Sequence, residues 1–279
     1  MSPSRSTASG EKLQLELLEP PVRGLILDMD GVLWKDAEPI GDLASVFAAI
    51  STRGFSVTIA TNNAMKTVDE YRLKLHGFGV DLEPWQIITS AEATADTLAT
   101  AFPERGVLFV VGEHGLIQAL QSRGFEVVAD AKLDRAYAAV VAGLDRELSY
   151  LKLQKAATLV REGAPFYGTN PDHTFPTPAG LVPGAGALLA AIVSASGREP
   201  IVIGKPSPLL LEIATGRMGL APESVLIVGD RLETDVAGGQ AFGARTALVL
   251  SGVSTREQAW AWRPAPTLVA PSLGALIGV

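Results

Sequence analysis

LILDMDGVLW, residues 25–34, is an aliphatic run that ends on two acids, Asp28 and Asp30, followed at once by Gly31. A strand that only has to fold gains nothing from two like charges at that spacing, so something must offset their repulsion. Side chains two apart on a strand project the same way, and a chain bending away at a glycine lets both reach one site. Hard carboxylate oxygens there favour Mg²⁺, which takes few protein ligands and keeps several waters. A carboxylate facing a phosphate oxygen at ~4 Å costs about 4 kcal/mol per charge pair at an effective dielectric of ~20. A divalent ion removes that penalty and turns a repulsive pocket into a phosphate site.

Outward from this stretch, short β-branched runs alternate with helical patterns. GLILD (24–28) leads to DLASVFAAISTRG (42–54), which stops on Gly54, a natural left-handed terminus. SVTIATN (56–62) follows, and Thr67-Val68-Asp69-Glu70 reads as a capping box opening the next helix. VLFVVG, AAVVAG, PIVIG, SVLIVGD and RTALVL each lie beside a helical stretch. Strands buried on both faces look like this, which predicts a doubly wound, Rossmann-like parallel-sheet α/β core. Asp28, Thr61 with Asn62, Lys205 and Asp230 all fall at the carboxyl ends of predicted strands, four strands delivering polar groups to one edge. In an open parallel sheet that edge borders the ligand crevice.

Between 88 and 178 the pattern stays α/β but carries no comparable strand-end acids. We read 88–178 as an inserted second domain, 18–87 and 179–279 as the core, and 1–17 as a flexible tail. Inside the insertion, RELSYLKLQKAATLVREGA (146–164) predicts an amphipathic helix ending at Gly163, and PFYGTNPDHTFPTP (165–178) a strand running into a proline-rich loop.

Totals narrow the function. At 279 residues and 47% hydrophobic, the chain can bury cores for two domains. A net charge of −7 argues against general nucleic-acid binding, which needs a basic face. With no cysteine, disulfides, zinc–thiolate sites and thiol nucleophiles are excluded, and a reducing cytoplasm is the expected compartment. No apolar run reaches the ~18 residues of a membrane span. LVPGAGALLAAIV (181–193) is short and broken by Pro183, Gly184 and Gly186.

The strand-end residues suit phosphoryl chemistry. A carboxylate at Asp28 can attack phosphorus, and a carboxyl at Asp30 can protonate the leaving oxygen and then activate water. Asp230 completes a metal set with them. Thr61 offers a hydroxyl, Asn62 a backbone N–H and Lys205 a compact positive charge to phosphoryl oxygens, with Asn63 in a supporting place. Asp235 either braces metal waters or holds Lys205.

DMDGVLW, TNN (61–63), GKPSP (204–208) and GDRLETD (229–235), in that order, resemble the four motifs of haloacid-dehalogenase-superfamily phosphatases. The wide gap between the second and third is similar to the subfamily with a type IIA cap: p-nitrophenyl, phosphoglycolate and pyridoxal phosphate phosphatases and NagD-type nucleotidases. AGLDRELSYLKLQKA, YGTNPDHTFPTP and LSGVSTREQ extend the likeness from about residue 22 to the C-terminus. The resemblance implies Asp28 as nucleophile and metal ligand, and Asp30 as acid/base binding Mg²⁺ through its main-chain carbonyl. It further implies Thr61, Asn62 and Lys205 as phosphate holders, Asp230 as metal ligand, Asp235 in support, and a homodimer formed through the cap.

Other features stay open. Asp172 and His173, in NPDHTFPTP, are candidate substrate contacts, though a solvated loop histidine explains His173 as well. His76 and His114 read as structural or exposed. PGAGAL (183–188) lacks the glycine spacing of a nucleotide loop and reads as packing or a hinge. A phospho-acceptor signalling module also sets acids and a lysine at a sheet edge, but needs one short domain and no Asp30. A non-catalytic binding protein on the same fold is the other alternative.

Overall fold

The computed structural model describes residues 14–130, 135–177 and 180–279. The expected tail lies outside the described residues up to 13. Gln14–Leu17, which it was expected to include, forms instead a 3₁₀ turn that buries Leu15 in the first hydrophobic cluster.

The chain lays down β1 (Gly24–Leu27), a small hairpin of β2 (Trp34–Lys35) and β3 (Glu38–Pro39), α1 (Leu43–Thr52), β4 (Ser56–Thr61), α2 (Val68–Gly77) and β5 (Ile87–Thr89). Asp42 caps α1 by accepting from the Ser45 N–H, and Gly54 beyond its end has φ +73°. Thr67 and Glu70 cap α2 reciprocally. The chain crosses through α3 (Ser90–Ala101) to β6 (Val107–Val111), α4 (His114–Ser122), β7 (Glu126–Val128), β8 (Ala139–Ala142), α5 (Tyr150–Arg161) and β9 (Phe166–Gly168). A hairpin of β10 (Thr174–Thr177) and β11 (Gly180–Pro183), then α6 (Ala185–Ser196) and β12 (Ile201–Val202), complete that part. The return runs α7 (Leu209–Met218), β13 (Val225–Gly229), α8 (Ala237–Phe242), β14 (Arg245–Val249), α9 (Arg256–Ala261), β15 (Leu268–Ala270) and α10 (Leu273–Ile277).

Two parallel sheets result. The first has order β15-β14-β13-β1-β4-β5, the second β12-β9-β8-β6-β7. In the first, β1 sits between β13 and β4, with Leu27 in register with both Val228 and Ile59. All residues of β1 and β13 are buried, as their aliphatic composition requires of central strands. The connections diverge to either side of β1, so its carboxyl end opens at a topological switch point. Between the sheets one hydrophobic cluster is continuous, joining Ile26 and Ile227 to Val110 and Val141.

Four expectations change. The division at 179 is not where the sheets part: Leu189 and Ile192 of α6 pack with β6, β8 and β9, and β12 pairs with β9. PIVIG reads as a core strand by composition, but Ile201 is 51% exposed on an edge of the second sheet. The helix expected from 146 starts at Tyr150 behind an Ser149 cap, because Arg146 is drawn to Glu113 and Asp145 to Lys152. The proline-rich loop is a β-hairpin from Thr174 onward. In PGAGAL the glycines serve packing: a side chain at Gly184 or Gly186 would collide with the backbone of Asp172 or Pro171.

Candidate active site

Asp28 follows β1 directly and its N–H donates to Val228 O at 2.9 Å, which pins it beside the end of β13. Asp230 follows β13, and Asp235 lies in a π-type turn, Leu232–Val236, just beyond. Asp28, Asp230 and Asp235 each bring a carboxylate oxygen within 4.8 Å of the others. Lys205 Nζ stands among them, 2.6 Å from Asp28 Oδ1, 2.6 Å from Asp235 Oδ1 and 2.9 Å from Ala60 O. This lysine is 3% exposed. It arrives from a direction the sequence did not give: it follows the edge strand of the second sheet, so three strand ends of the first sheet and one returning segment build the site.

Three carboxylates around one ammonium, Asp230 and Asp235 buried and Asp28 half-buried, leave an excess of negative charge. Burial pushes Asp28 well above the usual carboxylate range, and Asp235 and Asp230 add to the rise against the pull of Lys205. Asp230 is pushed up to about 7, by burial first and then by Asp235. For Lys205 burial works downward, but Asp235 and Asp28 together outweigh it and hold the ammonium charged. Asp230 Oδ2 accepts the Val253 N–H at 2.8 Å, while its Oδ1 is buried without a hydrogen-bond partner. Side chains at Gly31 (φ +81°) or Gly252 would collide with the Asp230 carboxylate, so only glycine keeps this approach open. An orphaned buried oxygen and two carboxylates raised by burial and by one another's charge fit a hard dication such as Mg²⁺.

Asp30 is not one of the three. Its side chain is exposed, and its Oδ1 accepts the Trp34 indole N–H at 2.8 Å. Thr61 is buried, and its Oγ1 accepts the Asn63 N–H at 3.1 Å, leaving the hydroxyl proton free to donate. Asn62 Nδ2 donates to Lys205 O at 2.8 Å and to Asp172 Oδ2 at 3.2 Å. Asn63 Oδ1 accepts the Met65 N–H at 2.9 Å and shapes the path into α2. Asp172 thus meets the site from the second sheet's side, and burial raises its carboxyl. His173 is exposed; its backbone carbonyl accepts from Gly184 N–H. His76 and His114 form exposed pairs with Asp81 and Glu70.

The haloacid dehalogenase-like hydrolase model matches residues 25–126, and a second HAD-hydrolase-like model matches 202–276. The dihydroxyacetone phosphatase of Corynebacterium glutamicum (strain R) is 36% identical over 251 residues, covering 90% of this chain and 89% of that protein. The chain belongs to the haloacid dehalogenase-like hydrolase family. Its fold is shared with the p-nitrophenyl phosphatase from Archaeoglobus fulgidus at a TM-score of 0.86 and 33% identity, covering 93% of this chain and 99% of that one. The glycerol phosphate phosphatase from Mycobacterium tuberculosis, solved in complex with magnesium, gives a TM-score of 0.83 and 32% identity over 91% of this chain and 76% of that one.

This haloacid dehalogenase-like hydrolase is a phosphoric monoester hydrolase of the type IIA-capped group, acting on small phosphate substrates. The signalling-module and scaffold alternatives are set aside by likeness to phosphatases along nine-tenths of the chain. Among the described residues no helix is long and apolar enough to cross a membrane. Sequence reasoning missed Asn170, which is buried and donates from Nδ2 to Asn62 O at 2.8 Å. A signal was available: a Thr-Asn pair, Thr169-Asn170, directly follows β9, as Thr61-Asn62 closes β4. It also missed Trp34, Gly252 and Val253, which carry no titratable group to attract notice.

Proposed function

We propose that this hydrolase is a Mg²⁺-dependent phosphatase that cleaves small phosphomonoesters through an aspartyl-phosphate on Asp28. The observation that carries this reading is the convergence of Asp28, Asp230 and Asp235 on Lys205, with one buried Asp230 oxygen left unpaired. Asp28 forms a bond to phosphorus as the ester P–O bond breaks, and Asp30 gives its proton to the departing oxygen. Asp30 then takes a proton from the water that hydrolyses the acyl-phosphate. The Thr61 hydroxyl, the Asn62 N–H and the Lys205 ammonium hold phosphoryl oxygens, and Asp235 keeps Lys205 in place. Asp28, Asp230 and the Asp30 main-chain carbonyl would hold Mg²⁺, whose charge offsets that of phosphate and acids.

The second sheet with its helices acts as a cap that excludes water and selects the ester, with Asp172 and His173 on its approach. By likeness to the named relatives, dihydroxyacetone phosphate and glycerol phosphate are the substrates to screen first. Tyr150, Leu151, Leu181 and Ile201 are exposed apolar residues on this part and favour a homodimer through it, which sedimentation would test.

Two results are expected from the site as a whole. EDTA should abolish turnover and Mg²⁺ restore it; indifference to chelation would remove the metal from the reading. Because Asp28 and Asp230 are raised in the fold, the metal-free native state binds more protons than the unfolded chain between the usual carboxylate range and about pH 7. Its stability therefore falls as pH rises through that window. Mg²⁺ needs the ionised forms, so its stabilisation in thermal melts should be larger at pH 8 than at pH 5. An equal shift at both pH values would count against a carboxylate site.

Asp30→Asn should lower kcat by a factor of roughly 10² to 10⁴, the usual weight of acid/base catalysis. The carboxylate is exposed and outside the acid trio, so Mg²⁺ should still raise the melting temperature of this variant. Unchanged turnover would overturn the role.

A further inference from the structure

The segment from Met29 to Trp34 folds back on itself. The N–H groups of Leu33 and Trp34 donate to Met29 O at 2.8 and 3.3 Å, and Gly31 N–H to Trp34 O at 2.8 Å. This closed turn returns Trp34 to Asp30, four residues earlier, and its indole N–H donates to Asp30 Oδ1. The ring has little freedom. It is 1% exposed, stacked on Tyr71 of α2 at 6.3 Å and 12°, and tilted against Phe78 at 6.2 Å. Lys74 Nζ lies 3.9 Å from the ring centroid and is itself tied to Asp36 O at 2.9 Å. A buried indole clamped on its faces is an expensive way to make one hydrogen bond to an exposed carboxylate, unless the orientation of that carboxylate matters.

Indole N–H is a donor only, and a protonated carboxyl has one O–H and one oxygen that is purely an acceptor. We propose that Trp34 is a positioning residue for proton transfer: it holds Oδ1 of Asp30 as the acceptor, so that Oδ2 carries the proton delivered to the leaving group. In that step Asp28 bonds to phosphorus, the electrons of the breaking P–O bond stay on the departing oxygen, and the Oδ2 proton passes to it. The inference rests on Asp30 being the acid of the proposed reaction.

The test compares p-nitrophenyl phosphate with phenyl phosphate, two esters of nearly the same shape. Phenolate is the more basic leaving group and depends more on protonation. Trp34→Phe keeps an aromatic ring in the clamp and removes the N–H. It should lower the ratio of kcat/KM for phenyl phosphate over p-nitrophenyl phosphate by roughly 10-fold. The ratio cancels any difference in the folded fraction of enzyme, so a structural defect alone would leave it unmoved. An unmoved ratio in Trp34→Phe, beside a lowered ratio in Asp30→Asn, would overturn this inference alone. An unmoved ratio in Asp30→Asn would overturn the acid role beneath it. A measurement without any Trp34 variant gives a second check: the Trp34 indole N–H resonance should move upfield in Asp30→Ala, and an unmoved resonance would show that no such bond forms in solution.

Discussion

Asp28→Asn is expected to lower kcat/KM by at least about 10⁴-fold, the scale seen when a nucleophile is removed from an otherwise intact site, while the metal-free protein becomes no less stable and melts at the same or a higher temperature. The two halves of this result have one cause. Asp28 sits at the tip of the central strand, facing Asp230 and Asp235 across a single lysine. Burial and those two acids make its ionised form costly and push its carboxyl upward. A group whose folded titration is raised weakens the fold at any pH where it is ionised, so replacing it with a neutral isostere removes that cost. The Asn carbonyl oxygen still accepts from Lys205 Nζ, and Asp235 keeps its own bond to the ammonium. Chemistry is lost because an amide cannot form the acyl-phosphate. Loss of activity with retained or increased stability is the signature of a strained functional site. Melting curves in EDTA, kinetics on p-nitrophenyl phosphate, and mass spectra of protein quenched during turnover would check it. Substantial residual hydrolysis would remove Asp28 as nucleophile, and a large fall in melting temperature would mean that the carboxylate is structural.

Much of this arrangement was legible because it is local. GLIL, SVTIAT and VLIVG announce buried parallel strands by composition, and the polar residue after each must then lie at the sheet's carboxyl edge. The cap at Thr67 is equally local, being set by a side chain and an N–H three residues on. What stayed hidden depends on separations that no window of sequence reports. Lys205 meets Asp28 across 177 residues and Asp235 across 30, so spacing alone left Asp235 between bracing waters and holding the lysine. PIVIG is as aliphatic as any core strand, and only pairing with β9 assigns it to the second sheet. The start of the helix near 146 was missed because ion pairs with Glu113 and Lys152 outweigh helix propensity over four residues. Trp34 went unremarked because its N–H acquires meaning only once the turn brings it back to Asp30.

Lys205→Met tests the site from the opposite side, and here the expectation is a large loss of stability. Methionine matches the lysine stem in length and fills its buried path, so the change removes the charge and its three hydrogen bonds with little change in volume. Buried Asp235 and Asp230 and half-buried Asp28 are then left without their cation, and breaking a buried pair from one side costs about 3–5 kcal/mol. The cost should depend on pH. Asp28 and Asp230, already raised with the lysine present, rise further without it. Protonation relieves the repulsion at pH 5 and becomes costlier as pH rises, so the melting temperature relative to the parent should fall more at pH 8 than at pH 5. Adding Mg²⁺ should restore part of the difference at pH 8, since the ion supplies positive charge to the same oxygens. The double variant Lys205→Met/Asp235→Asn should recover stability beyond additivity, because the second change removes a charge that only the first left unpaired. Activity should stay low in both, as the ammonium that meets the phosphoryl group is absent. If the single variant melted like the parent at pH 8, the lysine would not be the counter-charge that makes three crowded acids tolerable.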